Sequence, residues 1–317
     1  MILPIISAAL LSPFVIEYAF RCWVARKIRT VIESVPPLAI TEEPPASRGR
    51  RVQWRLPDGR DGHAVVYRQT AQPQGVILFL PELDGTAASA PLYCQPLLDA
   101  GFAVVAVEFR DLAADVAPIH WITETEMQRV AATVAYIAQD TRLGSLPLGV
   151  FGVSRGGTAA LLAAQRCPEV VALATDSGYS SMGLTSSFID RFGRQLIPER
   201  LFERLPAWHI RKALWAAFRL SERGRGCRYA HVERESSVRR LPTLMIRGSR
   251  DSYVTAAATT CLAERLGEHV DVWTVPRARH NRPRLVAPEE YGERLTQHFR
   301  QALAEDVDGQ PLRQNVA

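Results

Sequence analysis

Lysine is nearly absent from this 317-residue sequence: of its 38 basic residues, all but Lys27 and Lys212 are arginine. The net charge of +5 and a pI near 9.1 would suit an acidic partner, but no nucleic-acid motif and no basic stripe interleaved with aromatics accompanies them. A coding bias toward arginine accounts for the charge, and no nucleic-acid partner is expected. Cysteine is sparse as well, with Cys22, Cys94, Cys167, Cys227 and Cys261 far apart and odd in number. Without a CxxC pair or a His/Cys cluster at ligand spacing, neither a zinc site nor a disulfide framework is expected. A reducing compartment is favoured.

An unbroken membrane-spanning run is also missing. Residues 1–20 are apolar but carry Pro4, Pro13 and Glu17. No basic residues precede the run, and the site after it is poor for cleavage, which argues against a signal peptide. Arg21, Trp23, Arg26, Lys27 and Arg29 follow. That pattern suits a membrane-associated helix over residues 1–32, either spanning or lying in the interface, with the main domain on the cytoplasmic side. The alternatives are a helix packed on the domain and a soluble cytoplasmic protein. Residues 33–50 hold four prolines and no periodic pattern, and read as a linker. Residues 306–317 read as a tail.

Hydrophobic residues make up 47% of the chain and charged residues 22%, ordinary values for a protein with a sizeable core. Residues 51–69 read as two strands around a Pro-Asp-Gly turn. Short apolar runs recur at 75–80, 102–108, 147–153, 170–175 and 243–247, with a more alternating run at 270–275. Such runs fit strands buried on both faces of a parallel sheet. Helical patterns lie between and after them, at 123–139, 155–166, 255–267 and 287–304. The alternation predicts an α/β domain over 51–305 with a mostly parallel central sheet flanked by helices. Residues 180–235 break the alternation and read as an inserted helical cap. Ile210, Leu214 and Phe218 fall on one face there, with Leu205, Trp208 and Trp215 adding bulk.

The run 148–153 ends at Gly152-Val153-Ser154-Arg155-Gly156-Gly157, and an alanine-rich helix follows at once. A strand, G-x-S-x-G and a helix form the pattern of a nucleophile elbow. A tight turn there exposes the Ser154 hydroxyl at the carboxyl end of the sheet. Backbone N–H groups at the start of the following helix face a developing oxyanion. A serine hydroxyl needs a base, and the base an orienting carboxylate. Asp251 follows the run 243–247, and His280 follows the run 270–275. Both lie just past a strand's carboxyl end, where open α/β sheets place their sites. Asp176, ending the run 170–175, is the rival acid. The remaining histidines, His63, His120, His209, His231, His269 and His298, read as structural.

On these residues the chain resembles the α/β-hydrolase superfamily from about 51 to 304. Gly152 to Gly157 looks like the elbow, Gly248-x-x-Asp251-x-x-Val254 like the acid motif, and His280-Asn281 like the histidine motif. The N-terminal apolar segment, Asp176-Ser177-Gly178-Tyr179 and the insert are more narrowly similar to Bem46-like, serine-aminopeptidase-type (S33-like) hydrolases. The resemblance implies a membrane-associated serine hydrolase without metal or other cofactor, acting on a small-molecule or lipid-like acyl substrate. Ser154 would be the nucleophile, His280 the base and Asp251 the acid, with an acyl-enzyme intermediate. The family's oxyanion hole implies backbone N–H donors at Leu83 and Arg155. Here Leu80-Pro81-Glu82-Leu83-Asp84-Gly85 replaces the usual His-Gly segment, which puts two carboxylates beside that hole. The Arg155 side chain is a candidate contact for an anionic substrate. Carboxylesterase or lipase-like activity leads. Thioesterase, acyltransferase and peptidase activities share the same triad, and a non-catalytic binding module is the alternative of another class.

Overall fold

The computed structural model describes residues 2–34, 49–55, 59, 61–109, 120–196, 200, 204, 206–235 and 239–307; for residues 2–14, 16, 192–196 and 305–307 it describes the backbone alone. The expected linker apart from its ends, most of the turn after residue 55, Leu205 and the tail beyond 307 lie outside the described residues. The chain divides into two compact units, Met1–Pro37 with Thr185–Tyr229, and Leu38–Leu184 with Ala230–Ala317.

In chain order the elements are α1 (Ile2–Glu33), β1 (Arg50–Arg55), β2 (Asp61–Tyr67), β3 (Val76–Leu80), α2 (Ala90–Asp99), β4 (Ala103–Val107), α3 (Glu124–Gln139), β5 (Leu148–Val153), α4 (Arg155–Arg166), β6 (Val170–Asp176), α5 (Ser181–Leu196), α6 (Ala207–Arg225), β7 (Thr243–Gly248), α7 (Ala256–Leu266), β8 (Val270–Val275), α8 (Pro283–Val286) and α9 (Pro288–Val307). The eight strands form one sheet in the order β1-β2-β4-β3-β5-β6-β7-β8. The pairs β1/β2 and β2/β4 are antiparallel, and every pair from β4/β3 to β7/β8 is parallel.

Each apolar run becomes a strand because both of its faces are covered. On β3, Val76, Leu78 and Leu80 join one core with Val130 and Val134 of α3 and Leu161 of α4. Ile77 and Phe79 point the other way, into a second core with Tyr93 and Leu97 of α2 and Leu295 and Phe299 of α9. The period of two is present, but burial on both sides hides it in the sequence. At the edge, β8 keeps the alternation, with Trp273 and Val275 buried and Val272 exposed.

One helix was not legible. Residues 90–99 form α2, which begins with Pro91 in its first turn and carries Pro96 in its interior. A first-turn proline removes an N–H that has no intrahelical partner anyway. Pro96 breaks the local propensity pattern, and burial of Tyr93, Cys94, Leu97 and Leu98 overrides it.

In the smaller unit, α1 pairs with α6. Ala25, Ile28 and Ile32 of α1 are buried, as are Ala213, Leu214, Ala217 and Phe218 of α6, at the spacing of a helical stripe. Arg29 Nε bonds Glu33 Oε1 at 2.9 Å, and Ser221 Oγ donates to the same carboxylate at 2.8 Å. The sequence assigned residues 1–32 and the insert to separate parts; in the structure they form one compact unit, because each supplies the apolar stripe that the other's helix covers. Among the described residues no helix is long and apolar enough to cross a membrane.

Phe218 is fully buried and packs edge-on against Tyr229, with ring centroids 6.1 Å apart. Phe218→Ala is expected to cost about 3–5 kcal/mol, read as a lower urea midpoint. Trp208→Ala, at a half-exposed position, should shift stability by less than about 1 kcal/mol.

Candidate active site

The turn after β5 carries the candidate nucleophile. Ser154 has φ 52° and ψ −115°, a conformation that L-residues other than glycine seldom adopt. Its N–H donates to Asp176 O at 2.7 Å, and its own carbonyl accepts Gly157 N–H at 2.9 Å as α4 begins. Close approach explains the flanking glycines. A Cβ at Gly156 would overlap the carbonyl oxygens of Leu80 and Pro81, and one at Gly152 would overlap Gly156 O. The segment leaving β3 is therefore pressed against the first turn of α4.

The five non-glycine residues with positive φ among those described are Asp84, Ser154, Ser177, Arg277 and Asn281. Each follows the carboxyl end of β3, β5, β6 or β8. Local strain is concentrated along one edge of the sheet, as at sites where geometry is over-determined by the surrounding structure.

The structure brings Ser154, His280 and Asp251 together on that edge. Ser154 Oγ lies 2.9 Å from His280 Nε2, and His280 Nδ1 lies 2.7 Å from Asp251 Oδ2. The other carboxylate oxygen, Asp251 Oδ1, accepts the N–H groups of Tyr253 and Val254, each at 2.8 Å. In the tautomer that places its proton on Nδ1 toward Asp251, His280 has Nε2 as an acceptor for the serine hydroxyl. The loops carrying the acid and the histidine are tied to each other: Ser249 N–H donates to Val275 O, Arg250 N–H to Ala278 O, and Arg277 N–H to Ser249 Oγ.

Leu83 is buried three residues beyond Leu80, which pairs with Gly152, so its loop and the elbow leave neighbouring strands at the same edge. Glu82 is buried beside it. The Arg155 side chain is committed elsewhere than to a substrate. Its Nη2 lies 2.6 Å and 2.7 Å from the two oxygens of Glu126, donates to Trp121 O at 3.2 Å, and the guanidinium stacks over Phe109. Glu126 also caps α3 by accepting Thr123 N–H at 2.8 Å, so one carboxylate anchors α3 and the first residue of α4.

His120, read from the sequence only as a structural histidine, lies beside the site. It is buried, and its Nδ1 lies 2.7 Å from Tyr253 Oη; the Tyr253 ring packs against His280 with centroids 4.9 Å apart. Tyr179 completes this wall by donating its hydroxyl to His120 O at 2.8 Å. Burial pushes the hydroxyl pKa values of both tyrosines up, so both stay neutral. Nothing local in the sequence around His120 signals this placement.

Asp176, the rival acid, is fully buried. Its carboxylate accepts Ser177 Oγ–H at 2.9 Å and Tyr291 Oη–H at 3.1 Å. Burial pushes its pKa up to about 6; the bonds from Ser177 and Tyr291 and the nearby His280 oppose the rise, and Asp251 adds to it. Among the described residues no group of three or more His, Cys, Asp and Glu is arranged to hold a metal ion. An open cleft of about 410 Å³, lined by Val134, Ile137, Leu146, Leu148 and Glu169 among others, lies at the opposite, amino end of the strands.

No family model matches the sequence, and no curated protein matches it. Solved structures match its fold. An esterase of Pyrococcus furiosus superposes with a TM-score of 0.59 at 18% identity, covering 86% of this chain and 98% of its own. The α/β hydrolase GrgF of a Penicillium species gives 0.57 at 13% identity, covering 81% and 100%. This is the α/β-hydrolase fold. A membrane phospholipase A, described as a bacterial virulence factor, gives 0.53 at 19% identity, covering 98% of this chain and 96% of its own.

Two outcomes follow. Gly156→Ala forces a methyl group into the Leu80–Pro81 backbone, so it should destabilise by about 1–3 kcal/mol or more and abolish labelling of Ser154 by a fluorophosphonate. For pH, a carboxyl with a raised folded pKa contributes stability below its unfolded pKa that is lost as pH rises through the folded value. For Asp176 the window runs from the ordinary carboxyl value of 3.8 to about 6. Asp176→Asn should therefore melt at or above the wild-type temperature at pH 8, with that advantage shrinking toward pH 4.

Proposed function

We propose that the protein is a serine hydrolase that cleaves a carboxylic ester of a small or lipid-like acyl substrate. The reading rests on one observation, the continuous line from Ser154 Oγ through His280 to Asp251, at 2.9 Å and 2.7 Å. Ser154 Oγ attacks the acyl carbon while its proton passes to His280 Nε2. Asp251 holds the imidazole in the tautomer that accepts that proton and stabilises the imidazolium. The N–H groups of Leu83 and Arg155 bind the oxyanion. His280 then protonates the leaving alcohol, and Ser154 keeps the acyl group. Water, deprotonated by His280, then attacks the acyl carbon, and His280 returns that proton to Ser154 Oγ as the carboxylic acid leaves. The same line serves a thioester, an amide or transfer to an alcohol, and product partitioning with added alcohol separates transfer from hydrolysis. The narrower likeness to Bem46-like hydrolases rests on the N-terminal segment, Asp176 to Tyr179 and the insert before the acid strand.

The reading extends to a membrane surface. Val15, Tyr18, Phe20 and Trp23 of α1 are exposed, and the exposed Arg26 and Lys27 follow them. Aromatics at headgroup depth with basic residues beyond them suit a helix lying at an anionic leaflet, with the hydrolase unit on the cytoplasmic side. Residues 1–20 supply the apolar part.

Fluorophosphonate labelling and hydrolysis of short and medium p-nitrophenyl esters test the chemistry. Ser154→Ala should abolish labelling and lower kcat by about 10⁴- to 10⁶-fold, and Asp251→Asn should cost far more than Asp176→Asn. A wild type that neither labels nor turns over any ester overturns the reading in favour of a binding module. Sedimentation with phosphatidylglycerol vesicles tests the surface: Tyr18→Ala with Trp23→Ala should reduce the bound fraction and leave turnover of soluble esters unchanged.

A further inference from the structure

Asp176 has more connections than a rival acid needs. Its backbone carbonyl accepts Ser154 N–H at 2.7 Å, which holds the strained turn of the nucleophile. Its carboxylate accepts the Ser177 hydroxyl at 2.9 Å, and Ser177 Oγ in turn accepts the N–H of Asn281, the residue after His280, at 3.3 Å. All three turns involved are left-handed, with φ 52° at Ser154, 55° at Ser177 and 54° at Asn281. Tyr291 of α9 bonds the second carboxylate oxygen at 3.1 Å and fixes the carboxylate plane. A buried carboxylate is costly, and its hydrogen bonds to these loops give it a reason to be there. Asp251, by contrast, spends its oxygens on the imidazole and on its own loop, and none of its described bonds reaches the elbow.

We propose that Asp176 is a positioning residue that sets His280 against Ser154, its carbonyl holding the nucleophile turn and its carboxylate, through Ser177, holding the histidine turn. The inference rests on the reading of His280 as the base. A strut of this kind fixes the separation of Oγ and Nε2, and displacement of about 1 Å at such a pair is worth about 10²-fold in rate. It acts through hydrogen-bond acceptance rather than through charge. Asp176→Asn keeps an acceptor toward Ser177, whereas Asp176→Ala and Ser177→Ala remove the link.

The test compares these three variants with the wild type by ester kinetics and by the His280 ring signals of ¹³C-histidine-labelled protein, assigned with His280→Gln. Ser177→Ala and Asp176→Ala should lower kcat about 10- to 100-fold with KM within about twofold, and the His280 signals should broaden or split. Asp176→Asn should restore most of kcat and a single set of signals. Should Asp176→Ala fail to fold, Ser177→Ala still carries the test, because it removes one hydroxyl and no charge. The proposal is overturned if Ser177→Ala matches the wild type in kcat and in its His280 signals. It is equally overturned if Asp176→Asn is as damaging as Asp251→Asn, since Asp176 would then act by its charge as the orienting acid. Failure of the wild type to turn over any ester counts against the hydrolase reading alone, and the His280 signals still report on the strut.

Discussion

The left-handed turn at Ser154 is the constraint on which the site depends. A non-glycine residue at φ 52° is tolerated only where its surroundings leave no alternative. Here they come from three sides. Asp176 O takes the serine N–H, α4 starts without an intervening loop, and the Leu80–Pro81 backbone fills the space where a side chain at Gly156 would lie. The central position of β3 between β4 and β5 makes that last contact possible. A helix N-terminus, a buried serine and the end of a neighbouring strand are thereby forced to one point, the arrangement that the proposed acyl chemistry requires.

The rest of the sheet edge is organised around that point. Asp251 and His280 arrive on loops from adjacent parallel strands, and backbone bonds between those loops set their spacing before the side chains meet. Glu126 commits Arg155 to α3, so the first residue of α4 offers its backbone and not a free cation. Tyr253 serves twice, giving its N–H to Asp251 and its ring to His280.

Much of this was legible because short-range rules and long-range packing agree. The strand runs ended where glycine, serine or a turn cluster interrupted them, and the structure ends the parallel strands β3 to β8 within a residue or two of those points. The elbow was readable because its glycines sit where backbones collide, a requirement that leaves few residue choices. Helix α2 was not, since Pro96 lowers its local propensity and only burial against the sheet restores it. His120 and Tyr253 meet from positions 133 residues apart, and no spacing rule connects them.

From the sequence alone came the fold class, the order of the strands and of most helices, and the identity of Ser154, Asp251 and His280 as candidates. Those follow from local patterns: apolar runs of strand length, a turn that demands glycine, and polar residues placed just after strands. The tertiary structure decided what those patterns cannot encode. It joined α1 to α6 in one unit, turned Arg155 toward Glu126, and set Asp176 between the turns that carry Ser154 and His280. Each of these is a contact between distant segments, and its geometry exists only once the sheet has fixed which strand ends lie side by side.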